Sequence, residues 1–301
     1  MIFTTIEDFK TYVGGAVNQS LEIDSINPTV DAAFEQYLRP WLGDALADAI
    51  IDDPSAFTAL MPNVKRALAK LTMYKYSKIG AIQFSETGMH RVETDNVKSA
   101  YKYQEEEYAL SMLEEGFEAI EQMLRFLDLH EEDYDEWTTS DAYQMHNAFF
   151  LRYASEMRRH YSKYVTRYAY ESMRAIIEQV ECFAIEAILP PALYALLKTN
   201  HIATTSSAHE KKAVNFIQKA ITEFTIYEAM QRLWVKVDGD RLVHHEHVDN
   251  NLRSDNARAE GQAISLAMRH HNLRANRWIN QLLVYIADNQ SAFPLAFCNA
   301  E

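Results

Sequence analysis

The sequence predicts a mainly α protein of two tandem, related helical-bundle units, each with a small β-hairpin between its last two helices. Three observations predict it. Apolar residues recur at three and four residues over long stretches. The chain of 301 residues has only eight Gly and seven Pro with 48% hydrophobic residues, which favours well-packed helices over a sandwich or a disordered chain. A pattern running from Asn63 to Leu127 also returns from Ala213 to Ile286. This length suffices for two domains, placed at 1–135 and 136–301.

Thr5-Ile6-Glu7-Asp8 opens a short helix as a capping box, and Gly14-Gly15 ends it. A helix starts at Asn27-Pro28-Thr29, is interrupted at Pro40, and resumes from Trp41 to about Asp52. Asn63 caps the next helix, over Val64, Ala67, Leu68, Leu71 and Tyr74. Ile82 and Phe84 alternate with polar residues, Glu86-Thr87-Gly88 turns, and Met89 to Val92 return. Leu110, Leu113, Phe117, Ile120, Leu124 and Leu127 then form one long apolar face. The acidic run His130 to Glu136 has no periodicity and reads as the linker between halves.

In the second half, Ile217, Ala220, Ile221, Phe224 and Tyr227 repeat the Val64–Tyr74 set at an offset of 153. Val235 and Val237 match Ile82 and Phe84, with Asp238-Gly239-Asp240 as the turn. Ile279, Leu283 and Ile286 match Ile120, Leu124 and Leu127 at an offset of 159. Leu38-Arg39-Pro40-Trp41-Leu42 matches Leu189-Pro190-Pro191-Ala192-Leu193 at an offset of 151. Offsets that grow in small steps are what loop insertions leave. The end of the chain, Asn289 to Glu301, reads as an extended apolar tail, because Phe293, Leu295 and Phe297 alternate and Pro294 forbids helix. Such a tail wants a partner surface.

The net charge of −14 belongs to the first half: residues 1–135 hold 25 acidic and 11 basic residues, and residues 136–301 hold 18 of each. An acidic face disfavours a dedicated nucleic-acid binder, and it is also what a solvated surface looks like. Cys182 and Cys298 make no disulfide framework. The first residues are neither a basic n-region nor an apolar h-region, and no apolar run approaches the ~20 residues of a membrane span. The expectation is a cytoplasmic origin with no membrane partner.

Between Arg152 and Arg174 basic residues (Arg152, Arg158, Arg159, Lys163, Arg167) interleave with Tyr153, Tyr161, Tyr164, Tyr168 and Tyr170. Three readings stand: nucleic-acid binding by phosphate contact and stacking, docking on an acidic protein surface such as another copy's first half, or core tyrosines with solvated arginines. The sharpest chemical candidate is His244-His245-Glu246-His247, since His and carboxylate ligate transition metals. Its spacing fits no known arrangement: there is no His-Glu-x-x-His, and no Glu stands three residues before any His. A hairpin return strand is the plainer reading. Phosphate-loop, dinucleotide, nucleophile-elbow and Cys-x-x-Cys signatures are absent from the sequence, which removes most of the usual enzymes without excluding one; the expectation is a non-enzyme with no cofactor.

Phe9-x-x-Tyr12, Leu38-x-Pro40-Trp41-Leu42-Gly43, Phe84-x-x-x-Gly88-Met89-His90-Arg91 and Lys98-Ser99-Ala100-Tyr101-Lys102-Tyr103-Gln104 resemble an uncharacterised family of Bacteroidetes prophages and crAss-like bacteriophages, encoded beside virion structural genes. The resemblance covers most of the first half and, more loosely, the second. It implies a virion structural protein similar to head–tail connectors, the adaptor rings that sit beneath the portal in the neck and join capsid to tail. The duplication departs from simple adaptors. The implied partners are further copies of the chain in a ring of about twelve, the portal protein and other neck or tail proteins, with DNA at most passing through the lumen. The implied location is the virion, after synthesis in the host bacterial cytoplasm. The expected contacts are the basic–aromatic stretch, the hairpins at Phe84, Gly88, Arg91, Val235, Asp238 and Gly239, and the tail at Phe293, Leu295 and Phe297. The alternatives are a metal-dependent enzyme using His244, His245 and His247, and a nucleic-acid-binding helical protein.

Overall fold

The computed structural model describes residues 2–14, 22–77, 82–85, 88–91, 101–161, 163–232, 235–238, 241–244 and 261–297. Helix dominates it, and the chain divides into two compact units: residues 1–146 with 166–168, and residues 147–165 with 169–301. The division falls after His146, so residues 136–146 go with the first unit.

In the first unit, α1 (Ile6–Val13) opens on the Thr5 hydroxyl, which accepts the Asp8 N–H at 3.1 Å. α2 (Ile23–Ala33) begins ahead of the expected Asn27 and carries Pro28 inside it. It runs into a π-helical segment, Phe34–Leu38, and then α3 (Arg39–Leu42). Pro40 lacks an N–H and crowds the carbonyl four residues back. The wider turn, with the Arg39 N–H on the Phe34 carbonyl, carries the chain past Pro40 without the break the sequence suggests. Gly43, at φ 77°, leads into α4 (Asp44–Asp52), and a Cβ on it would lie 2.7 Å from Ser140 Cβ. The position therefore needs glycine for both conformation and space.

A 3-10 turn over Pro54–Phe57 precedes α5 (Met61–Ser77), which starts before Asn63. β1 (Ile82–Ser85) and β2 (Gly88–Arg91) pair antiparallel, Ile82 opposite Arg91 and Ser85 opposite Gly88. α6 (Lys102–Leu129) returns along α5. Their meeting buries Val64, Leu68 and Leu71 from one helix and Ile120, Leu124 and Leu127 from the other. Each such side chain contributes about 1.5–3 kcal/mol. The helices approach closely at Gly116, where a Cβ would sit 2.6 Å from Leu71 Cγ. The acidic run after α6 is a packed closing turn, not a linker: Glu131–Asp133 is 3-10, followed by α7 (Asp135–Thr138) and α8 (Asp141–His146). Tyr134 and Trp137 are buried there, and Trp137 Nε1 donates to the Trp41 carbonyl at 3.0 Å.

The second unit repeats much of this order, without a counterpart of α4. α9 (Ala154–His160) is followed by α10 (Arg167–Val180), a π-helical segment at Glu181–Glu186, and α11 (Pro191–Ile202) with proline at its first position. α12 (Ala208–Arg232) opens on a capping box in which Glu210 accepts the Ser207 N–H at 2.6 Å and the Ser207 hydroxyl accepts the Glu210 N–H at 3.3 Å. β3 (Val235–Asp238) and β4 (Arg241–His244) pair antiparallel. α13 (Gly261–Asp288) packs back on α12. The expected extended tail is instead two 3-10 turns, Gln290–Ala292 and Pro294–Ala296. Phe293 and Leu295 find cover in their own unit: Phe293 is 2% exposed, with its ring 6.1 Å from that of Tyr285.

The repeat extends into this closing turn at the offset of 159. The His130 N–H bonds the Leu127 carbonyl, and the Asn289 N–H bonds the Ile286 carbonyl. The His130 side chain donates to the Phe126 carbonyl at 2.8 Å, and the Asn289 amide donates to the Tyr285 carbonyl at 2.8 Å. Phe126 meets Tyr134 as Tyr285 meets Phe293, in both cases with centroids 6.1 Å apart. Across the central helix pair, Lys70 bonds Glu115 at 2.6 Å, and the equivalent positions hold Glu223 and Arg274, 3.8 Å apart, with the charges exchanged.

Candidate interaction surfaces

The long helix of each unit has an inner face set by packing and an outer face of its own. On α13 the inner face is Ala275, Leu282 and Ile286. This corrects the expected set, since Ile279 is half-buried and Leu283 is 41% exposed. The opposite face carries Leu266, Leu273 and Val284, all more than half exposed. At 3.6 residues per turn they fall on one line, flanked by Arg269, His270 and Arg277. Within α13 the basic residues Arg269, Arg274 and Arg277 stand against Asp288 alone. α6 is the reverse, with Glu105, Glu106, Glu107, Glu114, Glu115, Glu118, Glu121 and Asp128 against Lys102 and Arg125.

The outer face of α6 is partly covered within its own unit. The Arg167 N–H donates to Glu118 at 2.9 Å, and its guanidinium lies 3.7 Å from Glu121 and 5.1 Å from the Trp41 ring. The side chains of Arg167 and Glu121 are 1% and 4% exposed. The Tyr168 ring sits 5.4 Å from that of Phe117.

The basic–aromatic stretch therefore does not form one surface. Arg167 is a buried ion-pair partner, Arg152 is buried, and Tyr153 and Tyr170 belong to the core. Tyr170 donates its hydroxyl to the Leu151 carbonyl. Arg158 stacks on Tyr164 at 4.8 Å and bonds its hydroxyl, while Arg159 and Lys163 are exposed. Reversing Arg158, Arg159 and Arg167 together would not probe an interface, since the last change attacks the core.

At the hairpins, Phe84 pairs with Met89, Gly88 with Ser85, Arg91 with Ile82, and Asp238 with Arg241. His244 ends β4 opposite Val235. Gly239, His245 and His247 lie outside the described residues. His271 bonds Glu223 at 2.6 Å, and among the described residues no group of three or more His, Cys, Asp or Glu could hold a metal ion. In the tail, Phe293 and Leu295 pack on their own unit and Phe297 is left exposed.

A model of a family of unknown function, DUF6712, matches residues 38–147 and again residues 185–301. The chain belongs to the DUF6712 family. Both DUF6712 segments start inside a π-helical turn and run past the closing turn, so each spans the central helix pair with its hairpin. No curated protein and no solved structure matches the chain.

Sequence reasoning missed a buried polar cluster in the second DUF6712 segment and the stretch before it. Glu181 accepts from the Phe150 N–H at 2.8 Å, the Tyr194 hydroxyl at 2.7 Å and Lys198 Nζ at 2.7 Å. The Phe150 carbonyl accepts from Gln218 at 2.8 Å and His201 at 3.1 Å. Burial holds the His201 imidazole below its ordinary value and, with Glu181 beside it, pushes the Tyr194 phenol up. The cluster satisfies buried backbone groups, which makes it a structural pin. No sequence motif marks it, because its members are scattered from 150 to 218.

Proposed function

We propose that the chain is a virion structural protein, a subunit of a head–tail connector ring beneath the portal of a tailed phage, acting by protein–protein assembly and not by catalysis. The observation that carries this reading is the opposite outer charge on two copies of one architecture: α6 is acidic and α13 is basic and apolar. A subunit with two unlike, complementary faces makes heterologous contacts, and these build rings when the rotation closes. The resemblance in Leu38–Gly43 and Lys98–Gln104 supplies the virion setting. The hairpins β1–β2 and β3–β4 are the proposed contacts with neighbouring layers. The buried ionisable groups support the reading, because Glu181, Arg167 and Glu223 are engaged in internal pairs.

The test is native mass across a concentration series, alone and with the purified portal protein, followed by imaging. Closed rings of about a dozen copies are expected. A strict monomer that also ignores the portal overturns the proposal. Stoichiometric metal in a chelator-washed sample would favour the enzyme reading at His244–His247 instead.

A further inference from the structure

The outer side of α6 carries an acidic stripe that its own unit matches only in part. Glu107, Leu110, Glu114, Glu118 and Glu121 step by three and four residues and share one side of the helix. At the far end the stripe is matched: the Arg167 N–H donates to Glu118 at 2.9 Å, and the Arg167 guanidinium lies 3.7 Å from Glu121. At the near end Glu107 is exposed and Leu110 is 50% exposed. Among the described residues no cation pairs with Glu107 or Glu114.

The second unit holds a cationic line of the same spacing. Lys212, Phe216 and Lys219 share one side of α12, against rings of α13. Lys212 Nζ lies 4.5 Å from the Tyr285 ring centroid, and Lys219 Nζ lies 4.5 Å from that of Trp278. Phe216 is half-buried between them, its ring centroid 6.1 Å from that of Trp278 and 5.9 Å from that of Tyr285. The rings hold both ammonium groups in place, and among the described residues neither has a carboxylate partner. A lysine stands on the ring face that a stacked nucleobase would use, which favours carboxylates over nucleic acid as the ligand.

We infer that the outer side of α12 at Lys212, Phe216 and Lys219 is the docking site for the Glu107–Leu110–Glu114 stripe of α6 in a second copy of this chain. On each helix the two charges are two turns apart, about 10 Å. The apolar residue follows Glu107 by three positions and precedes Lys219 by three, so an antiparallel approach brings all three pairs into register. Glu107 then meets Lys219, Leu110 meets Phe216, and Glu114 meets Lys212. The contact is heterologous, so it leads from copy to copy and ends in a closed ring or an open filament. It deepens the assembly reading proposed above and rests on its premise that copies of the chain associate.

The test is zero-length carbodiimide cross-linking, which joins a carboxylate to a lysine, on a mixture of unlabelled and isotope-labelled full-length chains. Mixed-isotope peptides joining Glu107 to Lys219 and Glu114 to Lys212 are expected. Their absence at high protein concentration overturns the inference, and so do cross-links that never mix isotopes, since those arise within one chain. In sedimentation, Lys212→Glu with Lys219→Glu should weaken self-association at least about tenfold, as should Glu107→Lys with Glu114→Lys, and mixing the two variants should restore it. Association left unchanged in either variant overturns the contact. So does a lysine variant that loses binding of a single-stranded oligonucleotide instead of binding of a second copy. All four positions are exposed or half-buried, so the fold should survive, and unchanged hydrogen exchange within each unit checks that it does. Rings that persist in both variants would refute this contact and leave the connector proposal standing. Mixed-isotope cross-links without rings or portal binding would do the opposite.

Discussion

The two long helices, α6 and α13, have the same length and end in the same closing turn, yet their outer faces have opposite charge and opposite cover. On the inner side the repeats agree closely: Tyr134 and Phe293 are both buried, and both meet the aromatic residue eight positions earlier. The ion pair across the helix pair keeps its place while its charges trade sides, Lys70–Glu115 against Glu223–Arg274. Packing thus constrains the inner face in shape and demands complementarity without caring about its sign. The outer face is under no such demand, and that is where the two repeats have diverged.

The largest test of this equivalence is at the closing turn. Tyr134→Ala and Phe293→Ala should each cost about 3–5 kcal/mol, read by hydrogen-exchange mass spectrometry, which separates the two units. A neutral Phe293→Ala would break the comparison by making the end of the chain an appendage. Next is the outer face. Arg167→Ala takes the buried guanidinium away from Glu121, which keeps Arg125 at 3.5 Å, and should cost about 3 kcal/mol in the first unit. Arg277→Ala should change the stability of the second unit by less than about 0.5 kcal/mol.

At the point of closest helix approach, Gly116→Ala must displace Leu71 and should cost about 1–3 kcal/mol. The equivalent Ala275 already carries a methyl, so Ala275→Gly should cost only about 1 kcal/mol, mostly as helix propensity. Urea titration of each variant distinguishes the two cases. Thr72 and Thr225 occupy equivalent, fully buried positions, and among the described residues neither hydroxyl has a hydrogen-bond partner. Replacing either with Val should raise stability by about 1 kcal/mol, with the same sign in both units.

The smallest effect is one of pH, and it falls on one side of the comparison. His160 and His201 lie in the second unit, and burial holds both below the ordinary 6.5. The unfolded chain then takes up protons that the folded unit resists. Stability from these groups is full above 6.5 and is lost as pH falls through that value. Melting the second unit between neutral and mildly acidic pH should show the loss, and His160→Gln with His201→Gln should flatten it.

Much of the fold was legible. Thr5 and Gly14 marked the ends of α1, and the offsets of 153 and 159 marked the central helix pair of each repeat. The closing turn was missed, although the offset of 159 continues through Phe126 and Tyr285 to Tyr134 and Phe293. It was obscured by composition: one copy is an acidic run that resembles a linker, and the other contains Pro294, which resembles a break. Neither impression survives, because 3-10 turns tolerate both sequences. The π-helical turns were not legible, because one extra residue shifts the apolar spacing by a single position, which ordinary irregularity of a helix face also produces. Arg167 was misplaced for a different reason. Five basic residues among tyrosines look alike in sequence, and only Glu118 and Glu121, far earlier in the chain, single out the one that is buried.

The chain's own pattern was enough to establish a mainly helical protein, its duplication, and the concentration of negative charge in the first half. These rest on periodicity, composition and caps, all of which act over a few residues. Which charges are covered, which face of α13 is open, and that the end of the chain belongs to a core depended on the folded arrangement. Burial is settled by neighbours distant in sequence, and a charged side chain's environment follows from whatever the fold places beside it.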